Sequence, residues 1–256
     1  MAHRTNYWRE FWSCALCAGL NTRDDTPGLD HYEPAQDERE GDPCQSCGAT
    51  WRQRATVVAV LHGLSSLSGP LGSREHDHSV RGLGISDEVR TAVALARAFD
   101  YVNTDLYRFP TLNIVDSSAL SERFDFVTCS EVLEHVLPPP ERAIANIKEL
   151  LVAGGFAVLT VPVGERDFKE HYPGIVSWEE VGRSVRWVDQ SGRLSQDDAP
   201  VFHGGVGDTL ELREWDDRSF REAVLRSGFV SVEAAPVIPS LGVPAVPRMG
   251  VYIARP

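Results

Sequence analysis

The sequence has no apolar run near the ~20 residues that a helix needs to cross a bilayer, so no membrane span is expected. Met1 to Leu20 contain aromatics and cysteine but no clean apolar stretch with a small-residue cleavage site. No secretory signal is read there, and the expected location is cytoplasmic. Basic residues are the minority: 25 Lys and Arg stand against 37 Asp and Glu, a net charge of −12. A surplus of that sign repels phosphate backbones at long range, so a nucleic-acid partner is not expected. Arg52 and Arg54 are the start of the one basic patch that would argue otherwise. Internal repeats and low-complexity tracts are also missing. What remains is a 42% hydrophobic, 24% charged chain of 256 residues, enough for one α/β domain and a small appended module.

Cysteine is scarce but organised. Four of the five form two C-x2-C pairs, Cys14/Cys17 and Cys44/Cys47. In a reducing compartment this spacing argues for a metal rather than disulfides. Each pair presents two thiolates on one side of a tight turn, and two such turns complete a tetrahedral zinc shell with no open position for catalysis. Residues 1–54 are therefore expected to form a zinc-ribbon-like module, with the polar Asn21–Asp42 stretch as a solvated loop. Cys129 stands alone and reads as a buried apolar residue rather than a nucleophile.

Residues 55–79 are expected to hold a helix, ATVVAVLHGL, and a linker rich in Ser, Gly and charge. From Val80 short strands alternate with helices: Val80–Ile85, Tyr101–Thr104, Leu112–Val115, Phe124–Cys129 and Phe156–Val161 read as strands. Ser86-Asp87 is expected to cap a helix that buries Val89 and Val93, and Gly154-Gly155 to end the helix carrying Ile144, Ile147, Leu150 and Leu151. Such alternation predicts a Rossmann-like parallel sheet over residues 80–256. Too few residues separate Phe229–Val237 from Met249–Ala254 for a crossover, so that pair is expected to be antiparallel. Residues 163–209 break the rhythm and read as a long polar insertion on the substrate side.

Phe124 to Val163 carry a specific pattern. The Asp-containing strand Phe124-Asp125-Phe126-Val127 precedes a Ser-x-x-x-x-His stretch, Ser130 to His135, then a helix, a Gly-Gly turn and another strand. This segment resembles the second half of a class I methyltransferase domain that uses S-adenosylmethionine (SAM), methyltransferase type 11/12-like. Gly84-Ile85-Ser86-Asp87, Tyr101-Val102-Asn103-Thr104, Glu170-His171-Tyr172-Pro173 and Phe202 to Glu211 are also similar to phrases of bacterial zinc-knuckle methyltransferases. The resemblance implies SAM and Zn(2+) as cofactors. It also implies a cofactor crevice formed by Gly82, Gly84, Ser86, Asp87, Asn103, Asp116, Ser117, Ser130, Glu131 and His135. The first half departs from the family, which opens on a strand ending in an acidic residue and a G-x-G-x-G turn. This chain offers only Gly82-Leu83-Gly84 before Ser86-Asp87. Either this is the first strand with a degraded turn, or it is the second strand and the first is lost.

Each assignment has a plainer competitor. Asp116 would accept the adenine amine or merely end a strand, and Glu131 and Glu134 would line the crevice or start a helix. His135 would pack the loop below the cofactor rather than act in catalysis. His171 and His203 sit in the insertion, where a His can take a proton from an acceptor or simply bond backbone. His203, beside Gly204, Gly205 and Gly207, is the preferred base. Methyl transfer to O or N of a small-molecule acceptor fits the acidic charge best. An RNA or protein methyltransferase docking through the zinc module and a non-catalytic binding protein of the same fold remain as alternatives. The oligomeric state is not encoded in any motif.

Overall fold

A computed structural model describes residues 9–24, 40–41, 43–116, 121–164, 167–202, 210–245 and 249–256. The elements, in chain order, begin with the hairpin β1 (Arg9–Ser13) and β2 (Leu20–Asp24), followed by α1 (Trp51–Gly63). A parallel series follows: β3 (Asp77–Ile85), α2 (Val89–Ala98), β4 (Phe99–Thr104), β5 (Phe124–Ser130), α3 (Glu141–Glu149) and β6 (Leu151–Thr160). The insertion holds β7 (Lys169–Glu170), β8 (Ile175–Val181), β9 (Ser184–Asp189) and β10 (Leu194–Asp197), and β11 (Arg213–Glu214) follows it. The chain closes with α4 (Asp217–Arg226), β12 (Ser231–Ala234) and β13 (Val251–Arg255).

The main sheet has the order β12-β13-β6-β5-β3-β4. β4, β3, β5 and β6 run parallel, and β13 joins β6 and β12 antiparallel, as the short final connection required. The period-two alternation sorts side chains to two faces. Phe126, Phe156, Val158, Val251 and Ile253 face α1 and α2, whereas Val127, Cys129, Ala157, Leu159, Tyr252 and Ala254 face α3 and α4. Cys14, Ala15, Leu16, Cys44 and Ala49 share the first of these cores, so the cysteine turns lean on the sheet's helical layer. Helix α1 starts at a Thr50/Gln53 capping box and buries Val57, Val58, Val60 and Leu61. No helix among the described residues is long and apolar enough to cross a membrane.

Several local expectations are corrected. Leu112–Val115 is not a strand: Ile114 and Val115 form a turn, Asn146 holds their carbonyls at 2.7 and 3.1 Å, and Leu112 and Ile114 fill the core from a loop. Helix α3 stops at Leu150, and Gly154-Gly155 instead lie in a bulge of β6, where pairing jumps from Phe124↔Leu151 to Phe126↔Phe156. A Cβ on Gly155 would press on the carbonyls of Asp125, Phe124 and Val152 at 3.0–3.1 Å. Helix α2 is capped by Glu88, whose carboxylate accepts from the Arg90 amide at 2.7 Å. It buries Thr91, Ala92, Leu95 and Ala98, while Val89 and Val93 are exposed. The insertion is not a bare loop: β10-β9-β8 form a three-stranded antiparallel sheet over a small core of Tyr172, Ile175, Val185, Leu210 and Leu212.

Candidate functional site

The arrangement of the sheet resolves the question left open at its first motif. β3 lies between β4 and β5, in parallel with both, so Gly82-Leu83-Gly84 belongs to the central strand from which the sheet is wound outward on either side. In open α/β sheets ligands bind beyond the carboxyl ends of such strands, where the winding reverses. Ile85 pairs with Cys129, which brings the ends of β3 and β5 side by side. Both chains leave the sheet through left-handed residues that are not glycine: Ser86 at φ 58° and Glu131 at φ 53°. Each is pinned. The Ser86 amide donates to the Thr104 carbonyl at 2.8 Å, and the Glu131 amide donates to both the carbonyl and the hydroxyl of Thr160 at 3.1 Å. Such backbone costs about 1–3 kcal/mol per residue and persists where surrounding structure enforces it, most often at functional sites.

Beneath this paired exit is a buried carboxylate. Asp87, 6% exposed, accepts hydrogen bonds from the hydroxyls of Tyr101, Ser130 and Thr128, the last at 2.5 Å. Burial pushes its carboxyl above the usual carboxylate range, and the three hydroxyls oppose that rise. Asn103 clamps the same residue's backbone, accepting from the Asp87 amide at 3.1 Å and donating to its carbonyl at 2.9 Å. Asp87, Asn103 and Ser130 are thus brought together as one network that sets the turn after β3. Tyr101 and Thr128 complete it and were not singled out from sequence. The detectable signal was Tyr101 standing two residues before Asn103, on the same face of a strand. The room freed by Gly82 is taken by Phe126, and that of Gly84 by Tyr101 and Asn103, so packing alone explains both glycines. Asp125 accepts from the Arg81 amide at 2.8 Å and ties β5 to β3.

Asp116 lies farther out, exposed after the turn that replaces the expected strand, with its amide donating to Asn113 at 2.9 Å. Ser117 and His203 lie outside the described residues. The segment 210–213 gathers the other histidines. His135 Nδ1 bonds the Leu210 carbonyl at 3.0 Å, an acceptor-only partner that places the ring proton on Nδ1, and its Nε2 lies 3.7 Å from Glu134. The His171 amide donates to the Leu212 carbonyl at 2.9 Å. Arg213, 1% exposed, reaches the Leu133 carbonyl at 2.7 Å. Burial lowers its pKa to about 10, against the pull of Glu170, Glu134 and Glu141. Arg213 on the Leu133 carbonyl and the Leu212 amide on the Glu134 carbonyl thus join the loop after β5 to the segment that follows the insertion, a link hidden in sequence because about 80 residues separate its two sides.

The cysteine turns repeat one geometry. Cys14 and Cys44 accept from the amides of Ala18 and Gly48 at 2.9 and 2.7 Å, and their own amides donate to Gly19 and Ala49. Sγ atoms approach at 3.8 Å (Cys14–Cys47) and 3.7 Å (Cys17–Cys44), and all four lie within 4.8 Å of one another. A disulfide needs about 2.05 Å. A tetrahedron of thiolates around zinc at ~2.3 Å has edges of about 3.8 Å. The donor set therefore fits zinc. Burial raises the Cys44 pKa, but the amides of Cys47 and Ser46 and the Asn21 side chain outweigh it and bring the thiol down to about 6. Arg52 and Arg54 do not open a basic patch: Arg54 is fully buried, donating to Gly242 and Ala49 and stacked 4.3 Å from the Trp12 ring, and Arg52 pairs with Glu40.

Comparison with known proteins finds similar chains. A mitochondrial O-methyltransferase of ubiquinone biosynthesis from Candida albicans is 33% identical over 130 residues, 51% of this chain. The chain spans 38% of that relative's length. Among solved structures, SAM-bound CalS10, an amino pentose methyltransferase from Micromonospora echinaspora, aligns with a TM-score of 0.46 at 18% identity, covering 81% of this chain and 92% of the other. A SAM-dependent methyltransferase from Clostridium acetobutylicum aligns with a TM-score of 0.45 at 10% identity, covering 81% and 92%. A family model described as a methyltransferase domain matches residues 62–230, which contain the central strand, the Asp87 network and the whole insertion. This chain belongs to that methyltransferase domain family.

Proposed function

We propose that the chain binds SAM beyond the carboxyl ends of β3, β4 and β5 and transfers its methyl group to an O or N atom of a small-molecule acceptor. The observation that carries this reading is the pair of left-handed strand exits at Ser86 and Glu131, held side by side within the family-matched segment. Strain maintained at two adjacent strand ends marks a backbone shaped for a ligand. Ser86, Glu131, Asp116 and Ser117 would border the cofactor. Gly82, Gly84, Asp87, Asn103, Ser130 and His135 would hold that border in shape from below.

When bound, SAM supplies an electrophilic methyl group. The protein's part is then to align the acceptor, exclude water and take one proton if the nucleophile is protonated. His171 and His203, both in the insertion 163–209, are the proposed proton acceptors. Residues 1–54 are read as the zinc-holding segment, 55–79 as its connection and 80–256 as the catalytic domain. Thiolate ligation suits a reducing, cytoplasmic setting. Zinc there would be structural, since four thiolates leave it no open position. Elemental analysis should find about one zinc per chain. Cys44→Ser should lose the metal and gain protease sensitivity; a metal-free wild type of unchanged stability would remove the zinc assignment.

Transfer of labelled methyl from SAM to a panel of phenols, amines and amino sugars tests the activity. His203→Ala and His171→Ala should lower turnover while leaving SAM affinity within about twofold, because each is proposed to act on the acceptor side. Unchanged turnover in both variants would refute the assignment of the base.

A further inference from the structure

A cleft of about 370 Å³ lies between the cysteine turns and the outer face of α2, apart from the strand ends proposed to hold SAM. Its walls include the apolar Leu71 and Val93 and two of the four clustered cysteines, Cys17 and Cys47, and its basic members are Arg74, Arg90 and Arg97. No carboxylate among the described residues lines it, in a chain where acidic residues outnumber basic ones by 37 to 25.

Two of the three guanidinium groups have no carboxylate partner among the described residues, and the third, Arg90, is paired with Glu88. Arg74 donates only to uncharged oxygens, the carbonyl and hydroxyl of Ser66 and the Ser68 hydroxyl. Arg90 places Nε on the Cys47 carbonyl at 2.9 Å and Nη1 on Glu88 at 2.9 Å. The Arg97 side chain has no ion-pair partner among the described residues. Burial of Arg74 without a counter-charge lowers its pKa. Arg74 and Arg97 thus bring two guanidinium groups without a carboxylate partner to one cleft, and an anion there would meet both.

We propose that this cleft is a second binding site, which takes a small organic anion: an apolar body between Leu71 and Val93, with a phosphate or carboxylate group on the guanidinium groups of Arg74, Arg90 and Arg97. Size and lining are those of a small-molecule pocket rather than of a nucleic-acid track, which would need an extended basic face. Because Arg90 grips the Cys47 carbonyl, the site depends on the second cysteine turn holding its shape.

Titration calorimetry of the zinc-loaded protein at low salt with phenyl phosphate, inorganic phosphate and benzoate tests the proposal. Phenyl phosphate or benzoate should saturate one site. Whichever binds identifies the anion, and inorganic phosphate should bind more weakly because it lacks the apolar body. Arg97→Ala, on an exposed position that leaves the fold untouched, should weaken binding about tenfold, the worth of one charge-assisted contact. Arg74→Lys should weaken it as well, because an ammonium loses the planar fork. Arg97→Ala should leave binding of S-adenosylhomocysteine unchanged, so loss at this site and loss at the crevice are separable. No saturable binding by any probe, or equal binding in both variants, would overturn the proposal. So would single-stranded RNA binding that is lost in the same variants while the small anions fail to bind.

Discussion

Removal of the Asp87 carboxylate tests the network under the strand exits. In Asp87→Ala the buried hydroxyls of Tyr101, Thr128 and Ser130 lose their common acceptor. A buried donor left without a partner costs about 1–3 kcal/mol. Two of the three have a fallback: the Tyr101 and Thr128 hydroxyls lie 3.3 Å apart, and Thr128 is 3.4 Å from the Leu83 carbonyl. Ser130, 8% exposed, has no such alternative among the described residues. Relief of the buried charge offsets part of the loss, leaving a net destabilisation of about 2–3 kcal/mol. With a urea slope of about 2–3 kcal/mol per molar, the unfolding midpoint should fall by about 1 M. Asp87→Asn keeps an acceptor and removes the charge, so it should stay within about 1 kcal/mol of the wild type. The pH dependence separates the two effects. A carboxyl whose pKa is raised by burial gives its full contribution to stability below the usual carboxylate pKa, and that contribution is lost as pH rises through the raised value. Asp87→Asn should therefore gain on the wild type between mildly acidic and neutral pH. An Asp87→Ala midpoint within about 0.2 M of wild type, measured with zinc present, would refute the network's importance.

Two further outcomes follow from side chains already placed. Arg54→Ala leaves the Gly242 carbonyl without its side-chain donor, removes one of the two donors to the Ala49 carbonyl and opens space beneath Trp12. It should cost about 3–5 kcal/mol, read as loss of soluble protein or a lowered thermal midpoint; Arg54→Lys should recover only part, since one ammonium lacks the guanidinium's fork. Asp216 caps α4 by accepting from the Ser219 amide at 3.0 Å, and its pKa lies below the usual value because the amides of Ser219, Phe168 and Arg218 and the Ser219 hydroxyl outweigh its burial. Asp216→Ala should cost about 1 kcal/mol at neutral pH. A depressed carboxyl contributes above its unfolded pKa, so the difference between the two proteins should shrink as pH falls through the carboxylate range.

The parts of the fold legible in sequence were those whose signal is local. Paired C-x2-C turns, an apolar strand such as Phe124–Cys129 and the short link between the last two strands each have one physical solution. Errors arose where one local pattern serves two environments. Leu112–Val115 has a strand's composition, but Leu112 and Ile114 reach the core from a loop. Gly154-Gly155 reads as a helix cap and instead eases a bulge against the Phe124 and Asp125 carbonyls. The insertion hid its sheet because β8 buries one residue in seven, Ile175, and so shows no period-two alternation of buried and exposed positions. Asp87 was flagged for the cofactor. Its burial depends on Tyr101 and Thr128, which only the sheet's pairing brings within reach.

The most direct measurement is calorimetric binding of S-adenosylhomocysteine to the zinc-loaded protein and to its Ser86→Gly and Ser86→Ile variants. The wild type should bind one equivalent. Glycine at a φ of 58° relieves strain and should bind at least as tightly, whereas β-branched isoleucine resists that conformation and should bind at least about tenfold more weakly with its circular dichroism unchanged. A folded, zinc-loaded wild type that binds no S-adenosylhomocysteine, or an isoleucine variant that binds as the wild type does, would contradict the account.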